Sequence, residues 1–269
     1  MQYEPIKRSL GRVFTKSIFL RKTLYILLDL LLLRTWHVKK AIKKIAPSLP
    51  EDASVLDAGS GFGQYTWRIS SLYKGWRIKA IDINKEQVED CNYFIAETGR
   101  AERIRFETGD LTLLNDTELY DFILTVDVME HIEKDELVFT NFYKSLKNNG
   151  ILMISTPSDQ GGSDVHDHED HSFIDEHVRD GYSTDEIKEK LIFAGFRTVH
   201  AHYTYGPAGS ISWILSMKYP VKMVNKSYLF FIILPLYYLV VFPLSFFLNI
   251  IDLNFRIKKG TGLLVIAYK

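Results

Sequence analysis

A chain of 269 residues is longer than a typical single domain and short for two large ones, so one domain carrying additions is expected. Lys plus Arg equal Asp plus Glu at 33 each, which leaves no basic excess of the kind that marks nucleic acid as a dedicated partner. The single cysteine, Cys91, excludes an internal disulfide and fits a reducing compartment.

The N-terminus is polar and basic and the first apolar run begins only near Ile18, so no cleavable secretory signal is expected. Ile18-Phe19-Leu20 and Leu24 to Leu33, interrupted by Arg21, Lys22 and Asp29, read as an apolar helix with a few charged positions, followed by the basic stretch His37 to Lys44. Such a helix suits a headgroup layer, with its lysines on anionic lipid, and it equally suits a lid packed on a sheet.

Residues 53–58 read as a buried strand, Val55-Leu56-Asp57-Ala58, entering the turn Gly59-Ser60-Gly61-Phe62-Gly63 and then a helix over 63–74. Glycines at these points permit a tight turn and let a ligand approach the backbone. The spacing G-x-G-x-G departs from the dinucleotide fingerprint G-x-G-x-x-G, and Asp57, two residues ahead of the turn, suits a cation better than a phosphate. A second strand over 76–82 ends in Asp82, with Ile83 after it. This acid stands about 20 residues past the glycines, where Rossmann-like folds grip ribose hydroxyls. A helix over 85–98 carries Cys91, whose expected role is packing.

A third strand over 103–108 runs into Gly109-Asp110-Leu111, and a fourth over 121–127 ends at Asp127, ahead of Val128-Met129-Glu130-His131. A helix over 133–147 is expected to stop at Asn148-Asn149-Gly150, with a fifth strand over 149–156. Next come Gly161 to His171 and Glu176-His177-Val178-Arg179, dense enough in His and carboxylate to bind a divalent metal or to form a polar loop. The position after the fifth strand lies at the carboxyl edge of the sheet, so His166, His168, His171 and His177 are candidate bases there. Ser183 and Glu186 have the spacing of a capping box and open a helix to Ala194. Phe196 to Tyr203 gives a sixth strand and Gly262 to Tyr268 a seventh.

Between these last two strands lies an insertion, Gly206 to Gly260, whose centre from Tyr228 to Ile251 contains no charge. As a straight helix that centre would span about 36 Å, enough for a bilayer core of about 30 Å. If both flanking strands belong to one sheet, however, a single crossing is excluded and a hairpin or an in-plane segment is expected. Pro235 and Pro243 are expected to break or kink the helix. Lys218, Lys222 and Lys226 precede the apolar run and Arg256, Lys258 and Lys259 follow it, which puts both ends on the cytoplasmic face.

The glycine turn and the acidic strand tips together resemble class I S-adenosylmethionine-dependent methyltransferases, over roughly residues 50–204 plus the last strand. The resemblance implies an α/β fold: a Rossmann-like seven-stranded methyltransferase sheet with helices on both faces, its last strand antiparallel beside the sixth. It implies that Asp57, Gly59, Gly61 and Gly63 hold the methionine end of the cofactor, Asp82 and Ile83 the ribose, and Asp110 and Leu111 the adenine. Asp127 would border the methyl-transfer zone. In small-molecule members the N-terminal helices cover the substrate, and the Glu-His-Val-Arg segment followed by Tyr182-Ser183 helps close the site. Asp127-x-x-Glu130-His131 is similar to a cluster of the ubiquinone-pathway O-methyltransferases that is associated with a divalent ion. This leaves a divalent cation open as a second cofactor, with no residues assigned to it as a metal site. His131 and His177 are the first candidates for a catalytic base.

Three parts are thus expected: an N-terminal helical arm or lid over 1–48, a cofactor-binding methyltransferase domain over 49–205 and 261–269, and a membrane-associating insertion over 206–260. The expected reaction moves a methyl group to a hydrophobic or lipid-like small molecule at a membrane surface, with a hydroxyl favoured over an amine or a carbon. No Asn/Asp-Pro-Pro-Tyr/Phe sequence follows the fourth strand, which counts against methylation of DNA bases. Two rivals stand beside this reading. A nicotinamide-dependent oxidoreductase is disfavoured by G-x-G-x-G and by the lack of Tyr-x-x-x-Lys after the fourth strand. A non-catalytic membrane-associated protein retaining the fold would bind cofactor weakly and show no turnover.

Overall fold

A computed structural model describes residues 17–161, 178–227, 229–255 and 257–269. Strands β1 (Ser54–Ala58), β2 (Arg77–Asp82), β3 (Ile104–Thr108), β4 (Tyr120–Val126), β5 (Leu146–Pro157), β6 (Thr198–Thr204) and β7 (Gly262–Tyr268) form one sheet in the order β3-β2-β1-β4-β5-β7-β6. The pairs from β3 through β5 are parallel, whereas β7 runs antiparallel between β5 and β6. Strand order reverses between β1 and β4, and the crevice at the carboxyl ends of these two strands is where doubly wound sheets take their ligands.

Successive residues of the central strands point to opposite faces and are apolar on both, as a sheet covered on two sides requires. Val55, Phe122, Leu124 and Met153 pack on one side with Ile69, Phe94 and Phe106; Leu56, Ile123, Leu152 and Ile154 pack on the other with Phe139, Phe142 and Leu191. The first layer includes α3 (Gln64–Leu72) and α4 (Lys85–Glu97), the second α5 (Asp135–Ser145) and α6 (Thr184–Phe193). Ser183 caps α6 as expected, its Oγ accepting from the Glu186 N–H at 3.0 Å. The N-terminal helices α1 (Ile18–Leu31) and α2 (Leu33–Ile45) join the first layer through Tyr25, Val38, Ala41, Ile42 and Ile45.

Two local expectations are corrected. The helix before β5 ends at Ser145, and the strand begins at Leu146 with Asn148-Asn149-Gly150 inside an irregular stretch of it. Asn149 takes a positive φ of 64°, a turn conformation that asparagine tolerates, so the sequence signals a break within the strand and not the helix end. The prolines do not interrupt the apolar helix either: α9 (Phe230–Asn254) runs unbroken through Pro235 and Pro243. Both prolines are on its exposed side, while the other side is held to the preceding helices.

Those preceding helices are α7 (Pro207–Trp213) and α8 (Tyr219–Lys226), joined without a break by the π-helical turn Ile214–Lys218. With α9 they make an antiparallel hairpin. Ser212 Oγ donates to the Ser245 carbonyl at 3.1 Å, and the Tyr237 and Tyr238 hydroxyls donate to the Leu215 and Ser216 carbonyls at 2.6 Å each. The hairpin changes the meaning of the basic flanks. Lys222 and Lys226 lie at its tip and Lys258 and Lys259 at its base, so the two sets stand at opposite ends of α9 instead of together.

Candidate active site

The turn after β1 is built so tightly that its own chain consumes its donors. The N–H groups of Gly59 and Ser60 both donate to the Ile81 carbonyl, at 2.8 and 3.0 Å, and Gly63 N–H donates to the Ser60 carbonyl at 2.8 Å. Gly61 N–H donates to Asp82 Oδ2 at 2.7 Å. A dinucleotide turn offers such N–H groups to pyrophosphate; here these four are spent, one of them on a carboxylate that would repel phosphate. Gly59 (φ 80°) and Gly61 (φ 50°) differ in surroundings. A Cβ on Gly59 would lie 2.2 Å from Val128 Cγ2, whereas one on Gly61 would meet nothing within 4 Å. Gly59 therefore serves packing against the β4 loop, and Gly61 faces the crevice.

The acids of the strand tips surround this crevice. Asp82 also accepts from Asn84 N–H at 2.8 Å, which fixes its carboxylate and leaves lone pairs on both oxygens. Ile83 beside it is 77% exposed, an apolar surface at the carboxyl edge of β2. Asp110 accepts from the N–H and hydroxyl of Thr112, both at 2.8 Å, and Leu111 next to it is buried in the second core layer. Asp57 sits deeper than a surface ligand. It is buried, it accepts from Thr66 Oγ1 at 2.5 Å, and burial pushes its carboxyl up to about 6 against the pull of the Thr66 bonds. Close by, the buried Ser60 Oγ has no hydrogen-bond partner.

Asp127 takes a positive φ of 51° at the end of β4, held by its N–H to the Ser155 carbonyl at 2.8 Å. Its carboxylate pairs with Arg34 of α2. Arg34 stands within electrostatic reach of Tyr65, Tyr205 and Glu130, and its backbone N–H donates to Tyr205 Oη at 2.8 Å. Burial pushes the Tyr205 hydroxyl up to about 12, so it stays neutral. Glu130 is buried, accepts from Thr156 Oγ1 at 3.0 Å, and is pushed upward by burial. Arg34, Tyr65 and Tyr205 escaped the sequence reading, which treated the arm as a headgroup-layer helix or a lid. The available signals were an arginine directly after the apolar run of the arm and a tyrosine two residues after Gly63.

The arm also touches the glycine turn. Arg21 donates to the Phe62 carbonyl at 3.1 Å, the Asp90 carbonyl at 3.0 Å and Cys91 Sγ at 2.9 Å, while the Tyr25 hydroxyl bonds the same Phe62 carbonyl. Burial pushes the Cys91 thiol up to about 12, in keeping with its packing role.

His131 ends the short turn Met129–His131 and is exposed at the edge of the crevice. His166, His168, His171 and His177 lie outside the described residues. Just beyond them Val178 N–H donates to the Glu130 carbonyl at 3.1 Å, and Arg179 bonds Asp135 and the Ile132 carbonyl. Among the described residues no three His, Cys, Asp or Glu side chains gather to hold a metal ion, and Asp127, Glu130 and His131 form no such cluster. Asp127 is engaged by Arg34 and Glu130 by Thr156.

The crevice thus offers fixed carboxylates, an open glycine and an exposed apolar side chain, and its turn has little left for a phosphate. That donor set fits a ligand with ribose hydroxyls and a cationic end. A family model described as a methyltransferase domain matches residues 49–195. The ubiquinone biosynthesis O-methyltransferase of Rickettsia conorii is 28% identical over 102 residues, 38% of this chain and 34% of that protein. The (S)-coclaurine N-methyltransferase of Thalictrum flavum is 30% identical over 104 residues, 38% of this chain and 28% of that protein. The matched stretch thus spans about a third of the length of these curated relatives. In fold, the chain is similar to Haemonchus contortus phosphoethanolamine N-methyltransferase 2 in complex with S-adenosyl-L-methionine, with a TM-score of 0.62 and 16% identity, covering 87% of this chain and 52% of that one. It is also similar to an S-adenosylmethionine-dependent methyltransferase of Mesorhizobium loti, with a TM-score of 0.55 and 15% identity, covering 84% and 96%.

Proposed function

This chain belongs to the methyltransferase-domain family, and from that premise we propose that it transfers a methyl group from S-adenosylmethionine to a hydrophobic or lipid-like small molecule, at a hydroxyl, on the cytoplasmic surface of a membrane. The observation that carries the cofactor reading is the ring of acidic strand tips around a glycine turn whose donors are already spent. S-adenosylmethionine has an ammonium, a sulfonium and a ribose, and no phosphate. Asp82 would hold the ribose, with Ile83 beside it; Asp110 and Leu111 the adenine; Gly61 would pass the methionine end toward Asp57 and Asp127. The bound cofactor supplies an electrophilic methyl group. The chain's own task is to place a nucleophile in line with it, keep water out and accept a proton, for which His131 is the candidate base.

The acceptor reading rests on the apolar hairpin that follows Tyr205. Tyr205, whose hydroxyl accepts from Arg34, is the last residue before the hairpin, and α9 exposes an uncharged surface over most of its length. By length and composition α9 is apolar enough to cross a membrane, with 6% of its most apolar window buried. Two curated relatives bear on the transferred-to atom: one is named for O-methylation and one for N-methylation, and the former name recurs among the relatives from Rickettsia.

The test is to incubate detergent-solubilised protein with methyl-labelled S-adenosylmethionine and a total cell extract, then count label in the lipid and aqueous fractions. Label in the lipid fraction, stable to mild alkali that cleaves a methyl ester and released by treatments that cleave a methyl ether, is the expected result. Label confined to the aqueous fraction overturns the lipid-like acceptor, and no label with confirmed cofactor binding overturns the catalytic reading.

A further inference from the structure

The hairpin carries its charge and its apolar surface on opposite edges. On α9 the outward positions Ile232, Leu236, Leu239, Val240, Leu244 and Phe247 are between 51% and 75% exposed, and no charged residue interrupts them. An apolar face of this length on a monomer needs a cover. On α8, Pro220 and Val224 are buried where the hairpin closes on itself, whereas Lys222 and Lys226 are exposed. Two residues along a helix turn it by about 200°, so these lysines point away from the buried side. In cross-section the order is lysines, α8, α9, apolar face.

That order decides how the hairpin meets a bilayer. Upright insertion would carry α7 and α8 into the acyl layer together with α9, and the lysines of the hairpin tip would have to pass through that layer, where charge is costly. Among the described residues only α9 is long and apolar enough for that environment. A crossing by α9 alone is excluded because β6 and β7, which flank the hairpin, pair in one sheet. A hairpin lying flat has neither difficulty. Its α9 axis, about 37 Å long, would run along the surface, with Lys222 and Lys226 at one end and Lys258 and Lys259 at the other, all at headgroup level.

A second apolar stripe adjoins the first. Helix α1 exposes Phe19, Ile26, Leu27 and Leu30, and buries Arg21 and Tyr25 on its other side against the glycine turn. Trp36 connects the two stripes: its Nε1–H donates to the Leu30 carbonyl at 3.2 Å, and its ring meets Phe246 of α9 edge-on at 5.1 Å between centroids. An indole with one polar atom and a large apolar body suits a bilayer interface.

We propose that the hairpin lies along the surface of an anionic bilayer and not across it. Helix α9 rests at the acyl boundary, α8 is stacked above it among the headgroups, and the outer side of α1 rests on the same bilayer. This seating rests on the membrane reading above and specifies its geometry. Since α1 bonds the glycine turn on its inner side, the seating would hold the cofactor crevice at a fixed height over the lipid.

The test uses the full chain with single substitutions Ile26→Cys, Lys222→Cys, Ile232→Cys, Val240→Cys or Phe247→Cys, each labelled with a fluorophore; buried Cys91 stays unlabelled in the folded protein. Each variant is first matched to the parent in thermal melting. Vesicles of phosphatidylcholine, with and without phosphatidylglycerol, carry a quencher at the headgroup or in the acyl chain. The expected result is similar acyl-chain quenching at residues 26, 232, 240 and 247, headgroup quenching at 222, and about tenfold or more tighter binding to the anionic vesicles. Quenching that is much deeper at 240 than at 232 and 247 overturns the flat seating, as does acyl-chain quenching at 222. Apolar positions that stay unquenched on bound protein, or that become shielded by self-association, assign the face to a second copy and overturn the proposal. No vesicle binding of either kind overturns the membrane reading itself, and label transfer to an aqueous acceptor would then leave the methyltransferase reading standing.

Discussion

Arg34 on the second helix reaches across the crevice to pair with Asp127 at the tip of the fourth strand, tying the N-terminal arm to the catalytic edge of the sheet. The same guanidinium lies within electrostatic reach of Tyr65 and Tyr205, so its removal would release Asp127 and change the field at both hydroxyls, while the backbone bond from residue 34 to Tyr205 stays. Arg34→Met is expected to lower kcat/KM by about tenfold to a hundredfold, the usual cost of a displaced reacting group. Its melting temperature should move little, because the guanidinium is only partly buried. Steady-state kinetics beside a thermal melt checks this; a fall in stability matching the fall in activity would make Arg34 merely structural.

Asp82 fixes the glycine turn and faces the crevice at once. Asp82→Ala is expected to raise the Kd for S-adenosylmethionine at least about a hundredfold, since it removes a charge-assisted acceptor and loosens Gly61. Association with anionic vesicles should be unchanged. Calorimetric titration with the cofactor, beside a vesicle sedimentation assay, separates the two; persistent cofactor binding would remove Asp82 from the ribose role.

The two crevice glycines should respond differently to one added methyl group. Gly59→Ala forces a Cβ to 2.2 Å from Val128 Cγ2 and is expected to cost about 1–3 kcal/mol of stability, partly restored by Val128→Ala. Gly61→Ala meets open space, so the loss should appear chiefly as weaker cofactor binding, beyond a backbone cost of about 1 kcal/mol. Denaturant titrations of the two single variants and the double variant decide it.

Asp57 makes stability depend on pH. Its folded value, about 6, lies above the ordinary 3.8, so its contribution is complete below the lower figure and is lost as pH rises through the upper one. The loss amounts to about 3 kcal/mol at pH values well above 6. Asp57→Asn, which can still accept from Thr66, should match the parent in acid and exceed it at neutral and higher pH. Unfolding curves for both proteins across that range test the sign; parallel curves would show that the buried carboxyl titrates normally.

At the hairpin base, Asp252 accepts from the N–H groups of Tyr205, Gly206 and Gly209 at 3.2, 2.7 and 3.1 Å and meets His37 Nε2 at 2.8 Å. Asp252→Ala leaves these groups buried without their acceptor and is expected to cost about 3–5 kcal/mol. Limited proteolysis should show the hairpin cut faster in the variant than in the parent.

The sheet was legible because its strands carry their own apolar period and the first four end at an acid. Val55 and Leu56 or Phe122 and Ile123 alternate between two cores, and Asp57, Asp82, Asp110 and Asp127 mark successive tips. The arm was legible only by composition. Its apolar positions announce a helix, but that Arg34 would cross to Asp127, nearly a hundred residues away, depends on a tertiary approach that no local pattern encodes. The prolines misled for a related reason. Pro235 and Pro243 disfavour a helix locally, and the bonds from Tyr237, Tyr238 and Ser245 to the opposite helix hold it together.

The pairing of β6 with β7 continues without a skipped residue to Thr204 opposite Gly262, and Thr261 N–H still donates to the Tyr205 carbonyl at 3.1 Å. The whole hairpin therefore enters and leaves through a gap one strand spacing wide, of about 5 Å. For the sheet it occupies the place of an ordinary reverse turn. A chain in which a short Asn-Gly link replaced it would keep every bond of the β6–β7 ladder, so the length of the apolar element is independent of the register of the sheet.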